Sequence, residues 1–326
     1  MPAPASSDAP HRPPRPRSAG SQRRAQTPCP LPTVDGLSPS CVALPPGAWA
    51  TVLDFFCERF AQVARADWVE RMQAGRVVDA QAKAVTPERA YAKDLRVWYY
   101  RELPHEPAMP GEARIVFQDD WLIVADKPHF LPVIPSGRYV RETLLVRLKQ
   151  QLGMDSLVPI HRIDRDTAGL VLLSVRQATR GAYQGLFRDR RITKHYDAIA
   201  PWRADIAFPR DHVSRLEESP QFFRMHEVPG EPNSHTHMQV AEVAADGAWA
   251  RYRLSPVTGK RHQLRVHMAA LGAPILHDRF YPQLQEQRPD DQERPLQLFA
   301  HALAFEDPIT GKARCFTATR GPTMPA

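Results

Sequence analysis

The run Leu170-Val171-Leu172-Leu173-Ser174-Val175, entered through Thr167-Ala168-Gly169, constrains the fold more than any other stretch of the chain. A short apolar run rich in Leu and Val after a glycine predicts a buried β-strand. Just ahead of it, His161-Arg162-Ile163-Asp164-Arg165-Asp166 sets a carboxylate among cationic side chains. Asp164 is therefore expected on a loop that a buried strand holds in place, where a catalytic group is well supported. Beside Arg162 and Arg165 it is expected to stay ionised, which suits a nucleophile or base better than a general acid. The same pattern also suits an ordinary structural ion pair.

At 326 residues and 43% hydrophobic content, the chain has enough material for one large domain with a full core and a smaller one beside it. No apolar run approaches the length of a membrane span, and the start has no hydrophobic signal core, so a soluble, cytoplasmic protein is expected. Cys29, Cys41, Cys57 and Cys315 have no CxxC spacing, which points to free thiols rather than zinc or disulfides. The net charge of +7 and the pI near 9.4 point to an anionic partner, nucleic acid first. Residues 1–28 hold five arginines against Asp8 alone, so more than half of that excess lies in the tail and the body is only mildly basic.

Residues 1–48 contain 12 of the 33 prolines and little apolar periodicity, and are expected to form a disordered basic tail. From Trp49 the pattern changes. Val52, Leu53, Phe56, Phe60 and Val63 fall at helical spacing, followed by Trp68, Val69 and Met72. Gly75-Arg76-Val77-Val78-Asp79 then predicts a turn into a strand, and Leu95–Tyr100 another strand. From residue 111 onward one continuous domain is expected, opening with a hairpin of Ile115–Phe117 and Trp121–Ala125 around Gln118-Asp119-Asp120.

Three further segments stand out. Asp126-Lys127-Pro128 ends the hairpin, Lys194-His195-Tyr196-Asp197-Ala198 shows strand alternation, and Thr258-Gly259-Lys260-Arg261-His262-Gln263-Leu264-Arg265-Val266-His267 leads on to Gly272-Ala273-Pro274-Ile275-Leu276-His277-Asp278. Histidines 235, 237, 262, 267 and 301 all lie in this half. Only His235-x-His237 is a tight pair, and no Cys or acid has metal-ligand spacing beside it, so no metal is expected.

His161–Gly169 resembles the HRLDxxTSG motif of the RluA-type pseudouridine synthases, with Ile163 for Leu and Ala168 for Ser. Residues 258–269 resemble that family's TGRxHQIRVHLA, residues 272–278 its GxPIxGD with His277 for the glycine, and residues 194–198 its KxYxA. Asp126-Lys127-Pro128 is similar to its NKP segment, although the glycine that usually follows is replaced within His129-Phe130-Leu131-Pro132. His301-Ala302 with Phe305 and Pro308 resembles its C-terminal segment. Residues 49–110 loosely resemble an S4-type RNA-binding module, but Gln81-Ala82-Lys83-Ala84 stands where a glycine-rich return is usual.

The resemblance implies an α+β fold, with a mixed, largely antiparallel central sheet flanked by helices and a small N-terminal S4-like extension. It implies isomerisation of uridine in ribosomal or transfer RNA to pseudouridine, by a monomer, with no cofactor, metal or membrane. Asp164 corresponds to the catalytic carboxylate. Tyr196 corresponds to the residue that stacks on the base and helps remove the C5 proton, and Arg265 to the partner holding Asp164 through a forked guanidinium. His262 and Gln263 are read as loop organisers, Leu264 as pocket lining, and Arg162 as a group that fills the vacated stack or holds a phosphate. Arg138, Arg141, Arg147, Lys194 and Lys260 are candidates for RNA backbone contacts. Two other readings differ in class: a non-catalytic RNA-binding protein, and a hydrolase using Asp164 and Asp166 as paired carboxylates.

Overall fold

A computed structural model describes residues 28–103, 105–220, 223–286 and 289–325, which fall into two units. The first unit spans Cys41–Tyr99, together with described residues before Pro32. The second unit comprises Pro32–Ser40 and everything from Tyr100 onward.

In the first unit, strand β1 (Ser40–Ala43) precedes helices α1 (Val52–Arg59) and α2 (Arg65–Gln73) and strands β2 (Val77–Asp79) and β3 (Arg96–Tyr99). The helix, helix, strand, strand order is the expected one. Thr51 caps α1: its hydroxyl accepts from the Asp54 amide while the Asp54 carboxylate accepts from the Thr51 amide, so two otherwise orphaned donors are satisfied. Helix α1 turns Val52, Leu53, Phe55 and Phe56 inward, and Phe56 meets Trp68 of α2 edge-on at 4.7 Å between ring centres. The chain returns from β2 without glycine. Ala82 takes the left-handed conformation (φ 61°), and Asp79 holds the turn by accepting from the amides of Gln81 and Lys83.

Residues 1–27 of the expected tail lie outside the described residues. The remainder is not disordered as expected. Between Pro39 and Pro45 the sequence is free of proline, and β1 uses that window to pair with β3 while Leu44 is buried. The division also falls at residue 100 rather than 110. Glu106 accepts backbone N–H groups of Val140, Arg141 and Glu142, and Met109 is buried in the second unit's core.

The second unit contains β4 (Arg114–Gln118), β5 (Leu122–Lys127), α3 (Leu144–Leu152), β6 (Val158–Pro159), β7 (Ala168–Ser174), α4 (Gln177–Arg188), β8 (Ile192–Pro201), β9 (Arg210–Glu218), β10 (Met225–Val228), β11 (Ser234–Val243), β12 (Trp249–Pro256), α5 (Gln263–Ala270), β13 (Leu298–Glu306) and β14 (Ala313–Thr317). They make an eleven-stranded sheet in the order β10-β9-β11-β12-β8-β13-β7-β5-β4, with β14 on β13 and β6 on β7. The architecture is the expected mixed, mostly antiparallel α+β one. Among the described residues, β13 and β7 are its only parallel pair.

Every residue of β7 is buried, because both faces of the sheet are covered there. Leu170 and Leu172 point into a cluster with Tyr183 and Leu186 of α4. Val171 and Leu173 point the other way, into a cluster with Leu144 and Leu148 of α3. Each of these apolar side chains contributes about 1.5–3 kcal/mol by leaving water. Gly169 has a separate reason. Its φ is 110°, and a Cβ there would lie 2.3 Å from the Ala300 carbonyl oxygen, so no side chain fits where β13 crosses. A third cluster joins Leu264 and Met268 of α5 to Ala198, Met238, Tyr252 and Leu254 of the sheet. Tyr196 packs against both this cluster and the α3 cluster. Among the described residues no helix is long and apolar enough to cross a membrane.

Candidate active site

The loop between β6 and β7 is held from beneath. His161, only partly exposed, stacks on Phe187 with 4.5 Å between ring centres. Its Nε2 accepts the Leu172 amide at 3.1 Å. Burial and the Lys194 charge push its pKa down to about 3, so the ring is neutral and can accept that bond. At the end of β5, the buried Lys127 ammonium donates to the carbonyls of Pro128 (2.9 Å) and Arg165 (3.0 Å). His129 Nδ1 donates to the Asp166 carbonyl at 2.6 Å. Two loop carbonyls are thus tied to one strand end, and the Thr167 amide closes the turn onto the Asp164 carbonyl at 3.2 Å.

Asp164 leans out of this loop with its carboxylate partly exposed. Arg265, buried on α5, brings Nη1 to 3.5 Å from Asp164 Oδ2, and His262 Nε2 lies 3.9 Å from the same oxygen. The expected forked contact between Arg265 and Asp164 is not formed. The fork goes to Asp278: Nε donates to Oδ2 and Nη2 to Oδ1, both at 2.7 Å. Asp278 Oδ1 also accepts the amides of Phe280 and Tyr281. This arrangement uses the Nε–Nη2 edge of the guanidinium for positioning and leaves Nη1 for Asp164. Asp278 is the residue the sequence reading left without a role, although it belongs to a motif that reading had matched.

Arg165 does not serve Asp164 either. It grips Asp290 through two hydrogen bonds of 2.8 Å, pairs with Asp166 at 2.9 Å, and donates to the Tyr139 hydroxyl. Asp166 is buried beside it and lines a different, smaller cavity from the one Asp164 faces. Paired carboxylates across one cleft, as a hydrolase would use them, are not what the loop presents.

Asp164 opens onto a cleft of about 520 Å³, mouth included. Arg162, Lys194, Tyr196, Lys260, His262, Gln263, Leu264 and Arg265 line it, so with Asp164 it gathers nine of the twelve candidate residues. Ile163, Thr167, Pro256, Thr258, Gly259 and Leu298 complete the wall. Tyr196 comes from β8, and its hydroxyl has no hydrogen-bond partner among the described residues. Burial, and then the Asp164 charge, push its pKa well above the usual phenol value, which keeps the proton on. Lys194 donates to the Thr258 carbonyl at 3.3 Å, and burial with Arg190 nearby lowers its pKa to about 8. His262 sits in a left-handed turn with Nδ1 3.0 Å from the Tyr281 hydroxyl, and burial lowers its pKa. Gln263 organises the loop: Oε1 accepts from the Thr258 hydroxyl and Lys260 amide, while Nε2 donates to the His235 carbonyl and the Thr236 hydroxyl.

Arg138, Arg141 and Arg147 do not line the cleft. Arg138 is exposed and lies over the Tyr139 ring at 5.3 Å. Arg147 is committed to Glu142 and to the carbonyls of Met109 and Gly111, and Arg141 pairs with Asp35. Arg162 is exposed at the cleft and has no ion-pair partner among the described residues.

This fold is similar to that of the solved human RNA pseudouridylate synthase domain containing 1, at a TM-score of 0.51 and 23% identity, covering 65% of this chain and 85% of that one. In sequence, residues 121–270 match the RNA pseudouridylate synthase family model. The chain is 33% identical over 220 residues to the dual-specificity RNA pseudouridine synthase RluA of Escherichia coli (strain K12), covering 66% of this chain and 94% of that one. It is 30% identical over 233 residues to an uncharacterised RNA pseudouridine synthase of Synechocystis, covering 71% and 79%. The chain belongs to the RluA family of RNA pseudouridine synthases, which makes it an enzyme of the isomerase class.

Proposed function

We propose that this protein converts one or a few uridines of ribosomal or transfer RNA into pseudouridine, as a cytoplasmic monomer without a cofactor, and that Asp164 is its catalytic carboxylate. The observation that carries the assignment is the position of Asp164: partly exposed in the cleft, 3.5 Å from a guanidinium that Asp278 holds still, and facing the wall that carries Tyr196. The similar RluA proteins are named dual-specificity RNA pseudouridine synthases, which supports RNA as the substrate.

In this reading the target nucleotide leaves its stack and enters the cleft, as bases do in other enzymes that act on them. The Asp164 carboxylate assists cleavage of the C1′–N1 bond, by attack on the sugar or by taking its 2′ proton. The detached uracil turns against the Tyr196 ring and rejoins C1′ through C5. C5 then gives up its proton and N1 ends with one, so the atoms balance without any co-reactant. Because Tyr196 keeps its own proton at neutral pH, its hydroxyl relays the C5 proton rather than acting as a free phenolate. The cleft walls keep the base from escaping while it turns. Arg162, Lys194 and Lys260 meet phosphates at the cleft, and the helix–helix–strand–strand unit serves as a small S4-like element for RNA.

The test is carbodiimide-dependent mapping of pseudouridine in total RNA, with and without this gene. Sites lost on deletion and restored by wild type but not by Asp164→Ala support the proposal. A purified Asp164→Ala protein that still turns over would refute it, and unchanged RNA in the deletion would favour a purely RNA-binding role.

A further inference from the structure

Along the chain, His235-x-His237 is a tight histidine pair with no third ligand nearby. The sheet supplies one. In the β9–β11 ladder Asp211 stands directly opposite His237, and His235 lies two residues back on the same face. Asp211 Oδ1 is 3.0 Å from His235 Nε2 and in contact with His237 Nδ1. The two imidazoles meet edge-on, 4.5 Å between centres, and the ligating atoms of all three residues lie within 4.8 Å of one another. The three side chains are about one-third (His235) to one-half (His237, Asp211) exposed, so the remaining coordination positions face water.

We propose that Asp211, His235 and His237 hold a divalent transition-metal ion, with zinc as the natural probe, on the open face of strands β9 and β11. Two imidazoles and one carboxylate form a borderline donor set carrying one negative charge, which suits Zn²⁺ and its neighbours rather than Mg²⁺ or Ca²⁺. Three protein ligands leave a tetrahedral ion one position for water or for an oxygen of an approaching phosphate. The second cluster, His212 of β9, Glu227 of β10 and His267 of α5, is not an alternative. His267 is fully buried, with Nδ1 bonded to the Thr236 hydroxyl and Nε2 to the hydroxyls of Ser234 and Ser214, so neither nitrogen is free to ligate.

The site is wired to the catalytic cleft through the backbone of one ligand. The His235 amide donates to the Thr258 hydroxyl, and its carbonyl accepts from Gln263 Nε2 and from the Val257 amide. A metal that fixes His235 therefore also fixes the strand end from which the Thr258–Lys260 wall of the cleft hangs. The inference is independent of how the cleft performs its chemistry.

The experiment is calorimetric titration of ZnCl₂ into the chelator-stripped full chain, with a parallel Co²⁺ titration read by visible absorption. One ion per chain is expected, with a cobalt spectrum of nitrogen and oxygen ligation and no thiolate charge-transfer band. His235→Ala, His237→Ala and Asp211→Asn should each weaken zinc binding at least tenfold and remove the rise in Tm that zinc produces in the wild type. Glu227→Gln should bind as wild type does. These positions are at least partly exposed, and the metal-free Tm of each variant reports whether it folds. Absence of stoichiometric binding overturns the proposal, as does a full equivalent retained by the His235→Ala/His237→Ala double variant. A thiolate band, which would point to the cysteines, overturns it as well.

Discussion

Replacing Asp278 by Asn isolates what one buried charge does for this enzyme. The carboxylate is completely buried and the Arg265 side chain opposite is 2% exposed, so solvent does not screen the pair. Asn keeps an oxygen for the amides of Phe280 and Tyr281, but turns an NH₂ toward a guanidinium that needs an acceptor. Breaking a buried pair by removing one charge costs about 3–5 kcal/mol. For a domain of this size that lowers Tm by roughly 6–20 °C. Turnover should fall with it, because the fork that aims Nη1 at Asp164 is gone. The double variant Arg265→Met/Asp278→Asn separates the two effects: removing the stranded cation should recover much of the stability and none of the activity. Urea denaturation and single-turnover conversion of a structured RNA, run on wild type, Asp278→Asn, Arg265→Met and the double variant, close the cycle. If Asp278→Asn unfolds within about 1 kcal/mol of wild type and turns over normally, the buried pair neither holds the fold nor aims Arg265, and the reasoning fails.

Other outcomes follow from the same geometry. Tyr196→Phe should retain base stacking yet slow release of tritium from C5-labelled uridine, and an unchanged release rate would remove the hydroxyl from the reaction. Gly169→Ala should cost about 3 kcal/mol or more, since the new Cβ meets the Ala300 backbone at 2.3 Å, and a near-native Tm would mean that β13 yields easily. Ala82→Gly, at an exposed left-handed position, should stabilise the chain by roughly 0.5–1 kcal/mol in urea titration, and a loss would show that the Asp79 turn needs the methyl group. The Lys194 charge at the cleft is present below its pKa of about 8 and lost above it, so RNA affinity should weaken from pH 7 to 9. Lys194→Arg should flatten that profile in filter-binding measurements.

What could be read beforehand was local. Strand β7, the β4–β5 hairpin, the two N-terminal helices and most of the cleft lie within continuous patterns of period 2 or 3.6, and short motifs carry their own turn chemistry. What escaped reading was set by register and by closure of distant segments. The Arg265 fork belongs to Asp278, thirteen residues on, because the loop after α5 folds back over it. Arg162 and Arg165 both flank Asp164 in the chain, yet neither side chain pairs with it, because Arg165 is drawn off by Asp290, 125 residues away. Asp211 reaches His237 only through an antiparallel ladder that no spacing rule encodes. Strand β1 hid inside a proline-rich stretch, where composition outweighed a five-residue gap.

Strand β13 carries one further consequence, in time rather than in space. It lies between β7 and β8, whose residues precede it by roughly a hundred positions or more, and among the described residues it is the sole link between the two halves of the sheet. A growing chain that has reached Arg265 already contains every residue lining the cleft except Leu298. It still lacks the strand that makes those residues neighbours. Such long-range pairing is slow and comes late in folding. Synthesis is therefore expected to run to about residue 306 before the Asp164 loop faces Arg265, and a chain cut before that point would keep the residues of the cleft without the strand that assembles them.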